Sequence, residues 1–146
     1  MNKKIWELDD HEREALAEQR CNFLFTHVTE SGGAPLRTSS PTTILVPAKG
    51  EVLSVEFSKK EPRHVTVALS FAGQPMDERR AVYAAQSASQ STIVAKVRIE
   101  PREDEFRYSV QAEFFNDDES DLSRVFGLYL AAVLDTHEAF VAELVR

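Results

Sequence analysis

Residues 93–114 constrain the fold more tightly than any other part of the chain. In "TIVAKVRIE" the residues Ile93, Ala95, Val97 and Ile99 fall on alternate positions, and in "EFRYSVQAEF" so do Phe106, Tyr108, Val110, Ala112 and Phe114. Successive side chains of a strand point to opposite faces, so each run presents one apolar and one polar face. The intervening "PRED" reads as a turn, which makes the pair a hairpin with one buried side. A register that sets Ile99 against Phe106, Val97 against Tyr108 and Ala95 against Val110 keeps every inward partner apolar. On the other face it opposes Arg98 to Arg107 and Glu100 to Glu105, a small surface cost. Each hydrophobe exposed by a one-residue slip would cost roughly 1.5–3 kcal/mol, so the buried face dominates.

Behind the hairpin the period changes. Leu122, Phe126, Tyr129, Val133, His137, Phe140 and Leu144 recur at spacings of three and four, and Val125, Leu130, Leu134 and Val141 widen the stripe. A helix from Leu122 to Val145 would be roughly 35 Å long, enough to cross a sheet. Gly127 inside it costs about 1 kcal/mol relative to Ala, which predicts a close packing partner there.

The corner between hairpin and helix, Asn116-Asp117-Asp118-Glu119-Ser120-Asp121, looks at first like a cation loop. Counted from Asp117, Glu119 and Asp121 alternate as calcium ligands do. The sixth position, however, is Leu122 rather than Gly, and the twelfth is Leu128 rather than Glu. The acids therefore read as a helix start, with Asp118 or Ser120 capping first-turn N–H groups and Glu119 and Asp121 near the positive end of the dipole. No metal site is expected.

The first two-thirds supply the remaining elements. Acids open a helix from about Asp9 to Glu30 that carries Ala15, Leu16, Phe23, Leu24 and Val28, although their spacing is loose for an amphipathic helix. "SGGAPLRTSSP" at 31–41 reads as a flexible loop, too small and polar to pack. "TILVP" suits a short strand. "EVLSVEF" and "HVTVALSF" alternate, with Leu53, Val55 and Phe57 and then Val65, Val67, Leu69 and Phe71 inward. Because both inward sets are odd-numbered, the "SKKEPR" connection must hold an odd number of residues or a bulge. Pro75, Asp77 and Glu78 start a short helix with Met76, Val82, Tyr83 and Ala84 as apolar contacts, ended by the Ser and Gln residues at 86–92. The expected fold is a single α+β domain over residues 1–146. Its antiparallel sheet has the order α-β-β-(β)-α-β-β-α, and a long C-terminal amphipathic helix packs on the sheet.

Catalytic signatures are missing from this pattern. Cys21 is the lone cysteine and reads as a buried small side chain rather than a reactive thiol. Neither His11 nor His137 has a second His four residues on, since Ala15 and Val141 stand there. His137 instead falls on the apolar stripe. Ser31-Gly32-Gly33 lacks the Lys-Ser/Thr of a phosphate loop, and no Gly-x-Ser-x-Gly elbow occurs. No cofactor and no enzymatic activity are expected.

Charge narrows the partner. The net charge is −7, and residues 101–146 hold 4 of the 17 basic groups but 11 of the 24 acidic ones. A nucleic-acid partner would need a basic face, whereas a basic protein surface suits this one. With no apolar run behind Lys3 and Lys4 and no run of eighteen apolar residues, neither a secretion signal nor a membrane span is expected, and the chain is expected to be cytoplasmic.

The order of these elements resembles the class I type III secretion chaperones and the related YbjN-like domains. The likeness is carried by "SVEFSKKEPRHVTVALSF", the short helix "MDERRAVYAAQSA", the hairpin "TIVAKVRIEPREDEFRYSVQAEFF" and "DLSRVFGLYLAAVLDTHEAFVAEL". It implies a chaperone-like α+β fold and a homodimer that holds a protein client without catalysis, through apolar patches and added strands. Val94 and Phe115, the apolar pair on otherwise polar strand faces, together with Gly127 and Leu130, are the expected protein-binding residues. Alternatives are an immunity or antitoxin-like protein covering a basic toxin surface, and a small-ligand binder or enzyme with a pocket between the sheet and the C-terminal helix, lined by Tyr108, His137 and nearby acids.

Overall fold

The computed structural model describes residues 3–73, 78–91, 94–101 and 106–145. After a 3-10 turn at Ile5–Glu7 come α1 (Asp10–Glu30), β1 (Leu36–Arg37), β2 (Thr43–Ala48), β3 (Glu51–Phe57), β4 (His64–Gly73), α2 (Glu78–Ser91), β5 (Ala95–Pro101), β6 (Phe106–Phe115) and α3 (Glu119–Leu144). The strands form one six-stranded antiparallel sheet in the order β1-β2-β3-β4-β6-β5. The chain divides into two compact units, Met1–Thr66 with Phe114–Val125 and Val67–Glu113 with Phe126–Arg146.

In the first unit both ends of α1 are encoded locally. Asp9 accepts from the Glu12 N–H at 2.7 Å while the Glu12 carboxylate accepts from the Asp9 N–H at 3.3 Å, a reciprocal capping box. At the other end the Gly33 N–H bonds the Val28 carbonyl at 2.9 Å and the Gly32 N–H bonds that of Thr29 at 3.1 Å. These bonds form a Schellman motif. Both glycines are required there: Gly32 has φ +92°, and a Cβ on Gly33 would lie 2.7 Å from Val28 Cγ1. The buried stripe of α1 is Ala17, Arg20, Cys21 and Leu24, and the helix packs on β2 and β3. This corrects the face read from sequence, since Ala15 and Phe23 are exposed. The apolar spacing looked loose because an arginine occupies one position of the stripe.

Segment 31–41 is also more ordered in its bonding than its composition implies. Leu36 and Arg37 pair with Leu45 and Ile44 as β1, Pro35 is buried, and the Thr38 hydroxyl donates to the Thr43 carbonyl at 2.9 Å. β2 and β3 join through Lys49 and Gly50, whose φ values of 51° and 79° suit the two-residue turn that matches strand twist. The Ser58 N–H bonds the His64 carbonyl at 3.0 Å, so residues 59–63 form the odd-numbered connection that the alternation demands. Ile44, Val46, Leu53, Val55, Phe57 and Val65 are buried, as are Leu24, Phe114 and Leu122.

In the second unit α2 runs on to Ser91 and buries Ala81, Ala84, Ala85 and Ala88. Val82 and Tyr83, expected inside, are exposed; Met76 lies outside the described residues. Alanines at helical spacing let α2 approach closely, and Phe140 packs with them, flanked by Val97, Ile99, Tyr108 and Leu144. The β5–β6 register differs by two residues from the sequence expectation: Ala95 faces Ala112, Val97 faces Val110 and Ile99 faces Tyr108. A two-residue slip leaves every side chain on its original face, so the apolar pattern cannot distinguish the two. Surface charge separates them. The observed register sets Glu100 against Arg107 and Arg98 against Ser109 and avoids the like-charged pairs.

Candidate functional site

The acidic corner, in the first unit, is a structural joint. Asp118 Oδ1 accepts from the Ser120 N–H at 3.0 Å and from its hydroxyl at 2.7 Å, and the Asp121 N–H bonds the Asp118 carbonyl at 3.1 Å. Asp121 then holds Arg124 through two bonds of 2.7 and 2.9 Å, which lower its carboxyl pKa and raise that of the guanidinium. Among the described residues no group of acids, His and Cys is arranged to hold a metal. Asn116 turns inward: its Oδ1 accepts from Arg20 Nη2 at 2.7 Å, its carbonyl accepts from Arg20 Nη1, and its N–H donates to the Arg63 carbonyl at 2.8 Å. Nη1 also reaches the Pro62 carbonyl at 3.3 Å. Burial lowers the Arg20 pKa, and Glu119 and Asp117 oppose that shift. Sequence reading missed this joint, although its signal was a single arginine, Arg20, at helical spacing between Ala17 and Leu24 and next to Cys21.

Cys21 is buried and burial pushes its thiol up to about 11, which keeps it protonated and unreactive at neutral pH. Phe115 is 69% exposed, its ring 5.2 Å from that of His64. A neighbouring surface cavity of about 310 Å³ is lined by Glu56, Ser58, Lys59, Lys60, His64 and Thr66.

In the second unit, where the ligand pocket was expected, the rings stack on one another. The His137 ring lies 4.7 Å from Phe71, Phe71 lies 5.1 Å from Tyr108, and Tyr108 lies 4.7 Å from Phe140 in a tilted contact. The space is therefore occupied by side chains. A surface cavity of about 350 Å³ adjoins Phe71 and Tyr108, with Ser70, Glu100, Arg107 and Ser109 as its other walls.

Of the four expected binding residues, Phe115 belongs to the first unit, and Val94, Gly127 and Leu130 belong to the second. Val94 is exposed and Leu130 half-buried. The close partner expected at Gly127 is not there: a Cβ on it would meet nothing within 4 Å. Gly127→Ala should therefore stabilise the chain by up to about 1 kcal/mol, read as a rise of a few degrees in melting temperature.

The residues that sequence reading missed lie beside it. α3 buries Phe126, Val133, Leu134, Thr136 and Phe140, yet Leu128 is 59% exposed, Val145 79% and Val141 39%. Val141, expected on the inner stripe, points outward. By length and composition α3 could cross a membrane, and only 28% of its most apolar eighteen-residue stretch is buried. The signal was present, since the apolar residues run around more of the helix than one packed face requires.

The sheet edges offer less. β1 spans two residues. On β5 the Val97 N–H is taken by the Ser89 hydroxyl at 3.0 Å, and Lys96 Nζ reaches the Ser89 carbonyl at 2.9 Å. Alternation places the Pro101 nitrogen on that same outer edge, where it has no hydrogen to donate. Strand addition at β5 is thus blunted at two backbone positions.

No family model matches the sequence, and no curated protein matches it. Among solved structures the chain is similar to YbjN of E. coli, provisionally described as a transcription regulator, with a TM-score of 0.64 over 84% of this chain and 92% of that one. The chain has a YbjN-like fold. Identity with YbjN is 7%, so the likeness concerns architecture alone. It supports the YbjN-like side of the resemblance and not the secretion-chaperone side.

Proposed function

We propose that this chain is a non-enzymatic protein-binding module, chaperone-like or regulatory, that acts as a cytoplasmic homodimer on a protein partner. The observation that carries the reading is α3, an apolar helix with less than a third of its most apolar stretch buried. Exposed Leu128, Val141 and Val145 on one element are the kind of surface that a partner covers. The blunted edge of β5 favours side-chain docking over the added-strand contacts of secretion chaperones. Acidity in the last third favours a basic partner, as the immunity-like reading also holds.

A second reading, a small-ligand binder, draws on the cavity at Phe71 and Tyr108. Light scattering and affinity capture from the native host separate the two. The module reading expects twice the chain mass in solution and a stoichiometric protein partner. A monomer that captures no protein and is stabilised by a small molecule would favour the cavity.

A further inference from the structure

We infer that the outward face of α3 between Gly127 and Val145 docks a basic amphipathic helix of the partner protein. The inference rests on the protein-binding reading and names its surface and chemistry. At 3.6 residues per turn, Leu128 and Val141 bound an arc of about 140°. Ala131, Asp135, Glu138 and Ala142 lie within it, and all four are exposed. Gly127, Ala131 and Ala142 carry little bulk, so an incoming helix can approach the backbone while Leu128, Val141 and Val145 take its apolar side chains.

The two carboxylates decide the occupant. Among the described residues neither Asp135 nor Glu138 has an ion-pair partner, and Arg124, at the start of the helix, is already held by Asp121. Covering this face with an uncharged or acidic segment would bury two carboxylates without compensation. A segment with lysines or arginines among its apolar residues pairs with both. A second copy docked α3 against α3 would bring four carboxylates together, and an anionic lipid surface would repel them.

The test uses the full chain and a fluorescent Leu/Lys amphipathic peptide of roughly eighteen residues, with a Leu/Glu peptide of the same spacing as control. Anisotropy should show the Leu/Lys peptide binding at least about tenfold more tightly than the control, and more weakly as salt rises. Asp135→Lys with Glu138→Lys should invert that preference, and Leu128→Lys should weaken Leu/Lys binding about tenfold. These positions are exposed, so unchanged melting curves confirm that the variants fold. Equal binding of both peptides, or a doubly reversed chain that still prefers Leu/Lys, overturns the inference. So does a dimer that Leu128→Lys converts to monomer, which assigns the face to a second copy. A host partner held equally by the wild-type and doubly reversed chains overturns the placement on α3 and leaves the protein-binding reading standing. Absence of any stoichiometric partner removes the reading beneath it.

Discussion

Arg20→Ala is expected to lower unfolding free energy by about 3–4 kcal/mol, measured as a reduced denaturant midpoint at unchanged slope. Arg20 is 3% exposed, and its guanidinium is bonded to the Asn116 side chain, the Asn116 carbonyl and the Pro62 carbonyl. Truncation leaves these acceptors buried without donors, which costs more than the net value of the bonds themselves. It also removes the methylene stem from the inner stripe of α1. Arg20→Lys should recover only part of the loss, because a single ammonium cannot reproduce the planar fork that serves Nη1 and Nη2 contacts together. Arg124→Ala, which removes an exposed partner of Asp121, should leave the denaturant midpoint essentially unchanged. If Arg20→Ala behaved like Arg124→Ala, the corner at Asn116 would not be the joint described above.

Phe140→Ala should cost about 3–5 kcal/mol, through lost burial and the cavity left between α2 and the sheet. Phe140 is fully buried against Ala84, Ala85 and Ala88, with the Tyr108 ring tilted across it. Those alanines have no side chain with which to fill the gap, so the site collapses poorly. The melting temperature should fall by roughly 10 °C. Val141→Ala, one residue on but on the outward face, should stay within about 0.5 kcal/mol. That pair of substitutions separates the inner stripe of α3 from its outer face by stability alone.

Much of the fold was legible because strands and helices have different periods. The alternation of Leu53, Val55 and Phe57, and of Val110, Ala112 and Phe114, is the signature of strands with one buried side, and those residues are buried. The corner acids were read as a cap, and Asp118 serves as one. The β5–β6 register was not legible from hydrophobicity, because a shift of two residues keeps parity; the placement of Glu100 against Arg107 was the available clue. Arg20 was hidden because a charged residue counts as polar in any pattern, and only its bonds to a segment distant in sequence make its burial tolerable. The small alanines of α2 yielded to Val82 and Tyr83 when hydrophobicity alone was weighed, whereas close helix approach selected the alanines.

The proposed surface on α3 was only partly legible. Gly127 and Leu130 lie on the helix that carries the proposed surface, and Val94 and Phe115 are exposed. Val141 falls on the stripe expected to pack inward, and Leu128 and Val145 lie off it; only part of the helix circumference is needed for the core, so all three are exposed.

The most direct measurement of partner binding through α3 is the amide NMR spectrum of the isotope-labelled chain, recorded with and without the basic amphipathic peptide. Shifts concentrated between Gly127 and Val145, and absent in the Asp135→Lys/Glu138→Lys chain, are the expected result. Shifts confined to Ser70, Phe71, Tyr108 and Ser109, or to the His64 and Phe115 surface, would contradict it.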